Sequence, residues 1–162
     1  MATLQQSVLI GATVKQVYTF LADIERAATW LPHVIEAERT SSVKNGEGAE
    51  LALVVEAAGR RAQGTSRCTV AESPHRLVFT ATLDVGLTTT TTFVLAAEGK
   101  QTLLSATVEY AFTGRGFGRM LGSLFGDKYV RQDITTALGN LKAQIEAAHA
   151  ERLRRRREAA AP

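Results

Sequence analysis

The sequence predicts an α+β fold, in which a curved, seven-stranded antiparallel sheet wraps around a long C-terminal helix in the order β-α-α-β6-α. Three observations lead to this prediction. A short strand pattern at the N-terminus is followed by two short helical patterns. Turn signals then recur every 12 to 15 residues between Val-, Leu- and Thr-rich runs, which is typical of an antiparallel meander. The C-terminal part of the chain carries one long helical stripe of apolar residues.

The first strand and the two short helices are predicted within residues 3–31. Residues 3–10, TLQQSVLI, form the strand. Thr13 and Gln16 have the spacing of a capping box, in which each side chain accepts a hydrogen bond from the other residue's backbone amide. A second short helix is predicted to begin at Asp23 and to end at Pro32, because proline lacks an amide hydrogen.

Six further strands are predicted between Val34 and Phe112, each about nine to eleven residues long. The turn signals that separate them lie near Gly46, Gly59, Pro74, Gly86 and Gly99. Long strands in a single meander twist and curl, so we expect a strongly concave sheet.

The long helix is predicted to begin near Gly118 and to cross the concave face of the sheet. Its apolar residues are spaced by three and four and are Ile134, Leu138, Leu141, Ile145 and Ala148. Residues 119–148 alone would span about 45 Å, whereas a compact chain of this size is only about 40 Å across. We therefore expect one domain over residues 1–150 and a basic helical extension over residues 151–162.

The positive charge of the chain is confined to that extension. Residues 151–162 contain five of the 19 basic and two of the 16 acidic residues, which leaves 14 of each in the body. A neutral body argues against DNA binding, which needs a clustered basic face. The segment from Arg152 to Arg157 could contact RNA or an anionic membrane, and the simpler interpretation is a solubilising tail.

A cytoplasmic location is expected from two sequence features. The N-terminal residues lack the basic start and apolar stretch of a secretion signal, and Cys68 is the only cysteine, which excludes an internal disulfide. No apolar run reaches the roughly 18 residues that a membrane-spanning helix needs.

The run TTTTTFVL at residues 88–95 raises the question of function. Thr89 and Thr91 share one face of a strand with Phe93 and Leu95, so half of that face carries hydroxyl groups. Facing inwards, these threonines would belong to the wall of a mostly apolar ligand cavity; with the opposite register they would lie on an exposed sheet. The cavity interpretation assigns the wall to Trp30, Leu53, Val55, Phe79, Ala81, Thr89, Thr91, Phe93, Val108, Tyr110, Phe112, Phe117, Met120, Leu121, Leu124 and Phe125.

No motif of a catalytic, metal or cofactor site is evident, and no metal or cofactor is predicted. Two residues are candidates for proton transfer. Tyr110 would face the cavity, and His33 follows Pro32 near its expected mouth, where a histidine can act as an acid or a base near neutral pH. The competing interpretations are a core tyrosine and a surface histidine.

Several stretches also resemble a known superfamily. The segment VLIGATVKQVYTFLADIERAATWLPHVIEAE, the strand VFTATLDVG and the helix ALGNLKAQIEA are similar to the helix-grip, START-like proteins grouped as SRPBCC. The resemblance covers about residues 3–148 and is strongest to polyketide cyclase/dehydrase-like and coenzyme Q-binding-like members. It implies a deep pocket between sheet and helix that receives lipid, polyketide or isoprenoid- and quinone-like molecules.

Three functions are compatible with this sequence. A non-catalytic binder of a hydrophobic small molecule is favoured, because the cavity pattern has no catalytic set beside it. A polyketide cyclase or aromatase is the alternative that the resemblance implies. An interaction protein that uses its basic tail on RNA or a membrane is the third. The oligomeric state and the identity of the ligand do not follow from the sequence.

Overall fold

The structure is a computed structural model that describes residues 2–57, 59–113 and 117–161, except the side chains of residues 117–127. Its strands are β1 Ala2–Ile10, β2 Val34–Arg39, β3 Glu50–Ala57, β4 Arg60–Glu72, β5 Arg76–Leu83, β6 Leu87–Glu98 and β7 Gln101–Phe112. Its helices are α1 Val14–Ala22, α2 Ala27–Trp30 and α3 Phe117–Ala160, with a 3-10 turn at Ile24–Arg26. The predicted α+β class and element order are confirmed.

The seven strands form one antiparallel sheet in the order β1-β7-β6-β5-β4-β3-β2. The six meander strands pair consecutively, and β1 adds to the far edge of β7. Strand lengths run from 6 residues in β2 to 13 in β4, so the expected uniform length was wrong. The strand β4 contains a bulge between Cys68 and Val70, which adds one residue to it. The strand β2 ends at Arg39, whose guanidinium donates to the carbonyl oxygens of Ser41 and Ser42.

The helices near the N-terminus begin and end at the predicted signals. Thr13 accepts a hydrogen bond from the Gln16 amide at 3.3 Å, and the Gln16 side chain accepts one from the Thr13 amide at 2.9 Å. The second helical segment is less regular than predicted, because its first turn, Ile24–Arg26, is a 3-10 turn before α2. Helix α2 ends at Trp30, and Pro32 follows two residues later.

The concave face of the sheet is filled unevenly along its length. At one end, Leu95 of β6 lies opposite Leu104 of β7, and both are fully buried in one cluster with Leu141 and Ile145 of α3. At the other end, the wall is only partly buried at Phe79, Ala81, Thr89 and Thr91. The fold is therefore close-packed at one end and leaves room at the other.

Polar side chains of helix α3 donate hydrogen bonds to the backbone of β1 and of α2. The Lys142 ammonium donates to the Leu9 carbonyl at 2.7 Å, and the Asn140 side chain donates to the Trp30 carbonyl at 3.2 Å. These two bonds connect α3 to β1 and to α2, so they help to fix the position of the helix relative to the sheet.

Glu146 links α3 to the turn after β1, and its contribution to stability should depend on pH. The Lys142 ammonium, in a 2.6 Å contact, and the Gly11 amide, at 2.8 Å, donate to its carboxylate and hold the pKa of Glu146 below its ordinary value. A lowered folded-state pKa stabilises the fold above the ordinary glutamate pKa, and this stabilisation is lost as the pH falls through the folded-state value.

We expect Glu146→Gln to lower the free energy of unfolding by about 1 kcal/mol at neutral pH. Urea denaturation across an acid titration would measure the difference from the wild type, which should shrink as the carboxyl becomes protonated. A difference that stays constant down to strongly acidic pH would contradict this role of the carboxylate.

The basic end of α3 continues as helix through Ala160, and residues 152–161 are exposed. Some of its charge is paired within the helix. Arg154 contacts Glu151 at 2.6 Å and Glu158 at 2.8 Å, and Arg155 contacts Glu151 at 3.2 Å. The described helices include none that is both long and apolar enough to cross a membrane.

Candidate ligand-binding cavity

Two adjoining cavities occupy the loosely filled end of the fold. Cavity I, of about 160 Å³, lies between α1, the 3-10 turn, α2 and strands β3 to β6. Cavity II, of about 240 Å³, lies between α2, the residues after it, strands β2, β3, β6 and β7, and α3. They share Trp30, Leu31, Thr89, Thr91 and Phe93, so they adjoin along a common wall. Taken together, they reach the roughly 300–1,000 Å³ that small-molecule pockets usually have.

An aromatic cluster stands between the two cavities. The Trp30 and Phe93 rings meet edge to face with centroids 6.2 Å apart, and the Phe79 and Phe93 rings do so at 6.1 Å. Trp30 is 7% exposed, and its backbone carbonyl accepts the hydrogen bond from the Asn140 side chain of α3. Trp30 lines both cavities, so it lies between cavities I and II.

The walls are apolar except for a few hydroxyl groups, Asp23 in cavity I, and His33 and Asp133 in cavity II. Ser66, Thr89 and Thr91 line cavity I, and both threonines also line cavity II. Within the described part of the chain, none of these three hydroxyls has a hydrogen-bond partner. The alternate residues of the same run, Thr88, Thr90 and Thr92, line neither cavity, since successive side chains of a strand point to opposite faces.

A polar pair lies where cavity II meets solvent. His33 Nε2 is 3.2 Å from Asp133 Oδ1, and the two side chains are 43% and 46% exposed. His33 has a φ of 69°, a left-handed conformation that is uncommon for residues other than glycine. The His33 carbonyl accepts a hydrogen bond from the backbone amide of Glu56 in β3 at 2.8 Å, which stabilises this conformation. The pair connects the segment after α2 to α3 at the cavity rim.

A known family matches nearly the whole of this architecture. The family described as polyketide cyclase/dehydrase and lipid transport matches residues 1–146. The chain belongs to this family. No curated protein matches the chain.

Solved structures agree with this membership of the polyketide cyclase/dehydrase family at the level of the fold. A protein of Thermus thermophilus is 22% identical, with a TM-score of 0.76 and coverage of 91% of this chain and 99% of that one. The Zhui aromatase/cyclase of Streptomyces sp. R1128 is 16% identical, with a TM-score of 0.72 over 90% and 93%. A START superfamily protein of Mycobacterium smegmatis is 16% identical, with a TM-score of 0.67 over 88% and 98%. The START-like, helix-grip fold expected from the sequence is confirmed.

Most of the predicted wall residues that are described lie at the cavities of this family member. Those that line cavity I, cavity II or both are Trp30, Leu53, Val55, Phe79, Ala81, Thr89, Thr91, Phe93 and Val108. Tyr110 and Phe112 line neither cavity within the described residues; they pack edge to face on each other at 6.5 Å, and Tyr110 is 7% exposed. The predicted side chains outside the described residues are those of Phe117, Met120, Leu121, Leu124 and Phe125.

Of the two candidates for proton transfer, only His33 lies at a cavity among the described residues. His33 lines cavity II, whereas Tyr110 is buried beside Phe112. Burial raises the pKa of the Cys68 thiol, which disfavours the thiolate that a nucleophile needs. Among the residues whose placement is described, no group of three or more His, Cys, Asp and Glu side chains could hold a metal ion.

Sequence reasoning missed three polar residues of the site, which are Asp23, Ser66 and Asp133. Ser66 lies opposite Ala81 across β4 and β5, so pairing the two strands would have placed it on the wall beside a predicted residue. Asp133 precedes the predicted helical stripe residue Ile134, but no local pattern indicates that it would reach His33. The remaining unpredicted wall residues are apolar, and they lie on the helices, on the strands and in the segment after α2.

Proposed function

We propose that the protein binds a hydrophobic small molecule, of lipid, polyketide or isoprenoid-quinone type, in the space formed by cavities I and II. The observation that carries the proposal is that mostly apolar walls border an open space where a protein core is usually close-packed. Open volume inside a fold costs stability, since the atoms that surround it lose packing contacts. A guest that fills the space recovers those contacts.

Family membership supports the same function. The description of the family includes lipid transport beside cyclase and dehydrase activity, and the fold is shared with a START superfamily protein. The polar groups on the wall are few and include no described metal cluster. A mostly apolar wall with a few polar groups suits a carrier, which holds its ligand by apolar contact and orients it with a few hydrogen bonds.

Filling cavity II with a side chain is expected to abolish binding. Ala137 of α3 lines this cavity and is 7% exposed, so the ring of an Ala137→Phe variant would occupy the space that a ligand needs. We expect the dissociation constant for a fluorescent naphthalene sulfonate probe to rise at least about tenfold, as about 1.4 kcal/mol of lost contact requires. Fluorescence titration of the purified protein measures this constant.

The matched control is Ala143→Phe, which places the same ring on the exposed face of α3 and should leave binding unchanged. Mass spectrometry of an organic extract of the protein should identify a co-purifying lipid, polyketide or quinone in the wild type and less of it in Ala137→Phe. If the extract holds no such molecule and the probe binds Ala137→Phe as tightly as the wild type, the proposed function is wrong.

A polyketide cyclase or aromatase is the second candidate, and the His33–Asp133 pair favours it. A histidine that pairs with a carboxylate can donate a proton to, or accept one from, a ligand that reaches the rim of cavity II. The fold is also that of an aromatase/cyclase. A carrier returns its ligand unchanged from incubation, whereas a cyclase releases a ring-closed product with one water lost per aldol condensation, so mass spectrometry of the recovered ligand separates the two functions.

A further inference from the structure

The hydroxyl groups of the cavity wall are arranged in register across the sheet. Ser66 of β4 lies opposite Ala81 of β5, and Ala81 lies opposite Thr89 of β6. These three residues therefore form one transverse row on the concave face. Thr91 belongs to the neighbouring row, opposite Phe79. All four of these wall residues face cavity I, together with Phe79.

The dimensions of a sheet give the spacing of these hydroxyls. Ser66 and Thr89 are two strand intervals apart, which is about 10 Å between their backbones. Thr89 and Thr91 are two residues apart on one strand, which is about 7 Å. Ala81, between Ser66 and Thr89, has only a methyl group, so an apolar frame can lie over it and reach both hydroxyls.

These hydroxyls are available to a ligand. Within the described residues, neither Ser66, Thr89 nor Thr91 has a hydrogen-bond partner, although each lies on an apolar wall. A hydroxyl in apolar surroundings is unfavourable unless it is hydrogen-bonded. Valine would form the same strand about as well as threonine does, since both are β-branched and favour the sheet, so the strand itself does not require the threonine hydroxyls. The positions therefore serve something other than the fold.

We propose that Ser66, Thr89 and Thr91 form an oxygen-recognition site, and that the ligand carries hydroxyl or carbonyl oxygens at two separated positions on a rigid apolar frame. The inference rests on the proposed function and specifies the ligand within it. A single-headed fatty acid has oxygen at one end only, so it would satisfy one part of the row and leave the rest unpaired. A molecule with oxygen at both ends satisfies Ser66 and Thr89 together.

Three biphenyls test this site because they share one frame. The probes are 4,4′-dihydroxybiphenyl, 4-hydroxybiphenyl and biphenyl, measured by displacement of a fluorescent naphthalene sulfonate. We expect Ser66→Ala and Thr89→Val each to raise the dissociation constant of the diol about fivefold, as the loss of one net hydrogen bond does. The constant for biphenyl should change less than about twofold, because its contacts are apolar.

Two matched variants show whether a loss of affinity comes from the missing hydroxyl or from a disturbed fold. Thr89→Ser keeps the hydroxyl and should keep most of the affinity for the diol. Thr90→Val makes the same substitution on the opposite face of β6, where Thr90 lies opposite Thr80 and Glu109, and should change neither affinity. The melting temperatures of Ser66→Ala and Thr89→Val should equal or exceed that of the wild type, since their hydroxyls have no partner to lose.

The outcomes distinguish this inference from the function on which it rests. If the wild type binds all three biphenyls with equal affinity, or if the Ser66→Ala/Thr89→Val double variant retains the preference for the diol, the oxygen-recognition site is wrong and the hydrophobic cavity stands. If the wild type binds none of the biphenyls and no naphthalene probe, the proposed function fails and this inference fails with it.

Discussion

Replacement of Gly64 by alanine is expected to destabilise the protein severely. Gly64 of β4 lies opposite Leu83 of β5, and a methyl group on it would overlap the carbonyl oxygen of Thr82. It would also lie 2.8 Å and 2.9 Å from side-chain and backbone carbons of Leu83. Backbone atoms of a paired strand cannot move aside without breaking the pairing, so we expect a loss of about 3 kcal/mol or more in the free energy of unfolding.

Urea denaturation followed by the fluorescence of Trp30, the only tryptophan, measures this loss. Gly139→Ala is the matched control. Gly139 lies on the exposed side of α3, and a methyl group there meets nothing within 4 Å. Alanine favours a helix over glycine by about 0.5–1 kcal/mol, so this variant should be more stable than the wild type. Equal stabilities of the two variants would refute the close approach of β4 and β5.

The close approach at Gly64 bears on the site as well as on stability. Gly64 is two residues from Ser66, so both lie on the same side of β4, at the part of the sheet that encloses cavity I. A glycine inside a strand permits a tight bend because no side chain obstructs the neighbouring backbone. We infer that the curvature needed for a cavity wall depends on this residue, and that Gly64→Ala protein that still folds would lose affinity for the naphthalene probe.

Alternation along β6 made part of the cavity wall predictable from the sequence. Thr89 and Thr91 share a face with Phe93 and Leu95, and the two large side chains must face the core. Because the period of a strand is two, placing Phe93 and Leu95 inside also places both threonines inside. The same argument puts Thr90 outside, so the five-residue threonine run serves both faces of one strand.

The end of β7 shows where alternation stops being informative. Tyr110 shares its face with Val108, and the prediction treated both as wall residues. Only Val108 lines a cavity among the described residues, although Tyr110 lies directly opposite Thr89. Which residues along a face reach the cavity depends on how far the sheet curls and where α3 crosses it. Those quantities result from the packing of many side chains and not from a local period.

The His33–Asp133 pair was beyond sequence reasoning for a related reason. Its residues are 100 positions apart, and their meeting requires both the rotation of α3 and the left-handed backbone of His33. A positive φ is uncommon at any residue other than glycine, and although histidine is among the more tolerant types, its presence does not by itself predict this conformation. The prediction of His33 near the cavity mouth therefore came from its place after Pro32, and its partner could be found only in three dimensions.

Replacement of Trp30 by alanine is expected to be the second large effect, because Trp30 both closes the core and divides the cavities. The indole is 7% exposed and packs against Phe93. Removing a buried aromatic side chain usually costs about 3–5 kcal/mol, and open space on both sides of this one favours the lower end of that range. Because Trp30 is the fluorescent reporter, unfolding is followed by circular dichroism.

The same Trp30→Ala variant should also change the size of ligand that the protein accepts. Without the indole, cavities I and II become continuous, so affinity for a bulky polycyclic probe should rise relative to affinity for a single-ring probe. Trp30→Phe retains a ring beside Phe93 and should keep the wild-type ratio of the two affinities while losing less stability. A ratio that is unchanged in Trp30→Ala would mean that the indole does not partition the ligand space.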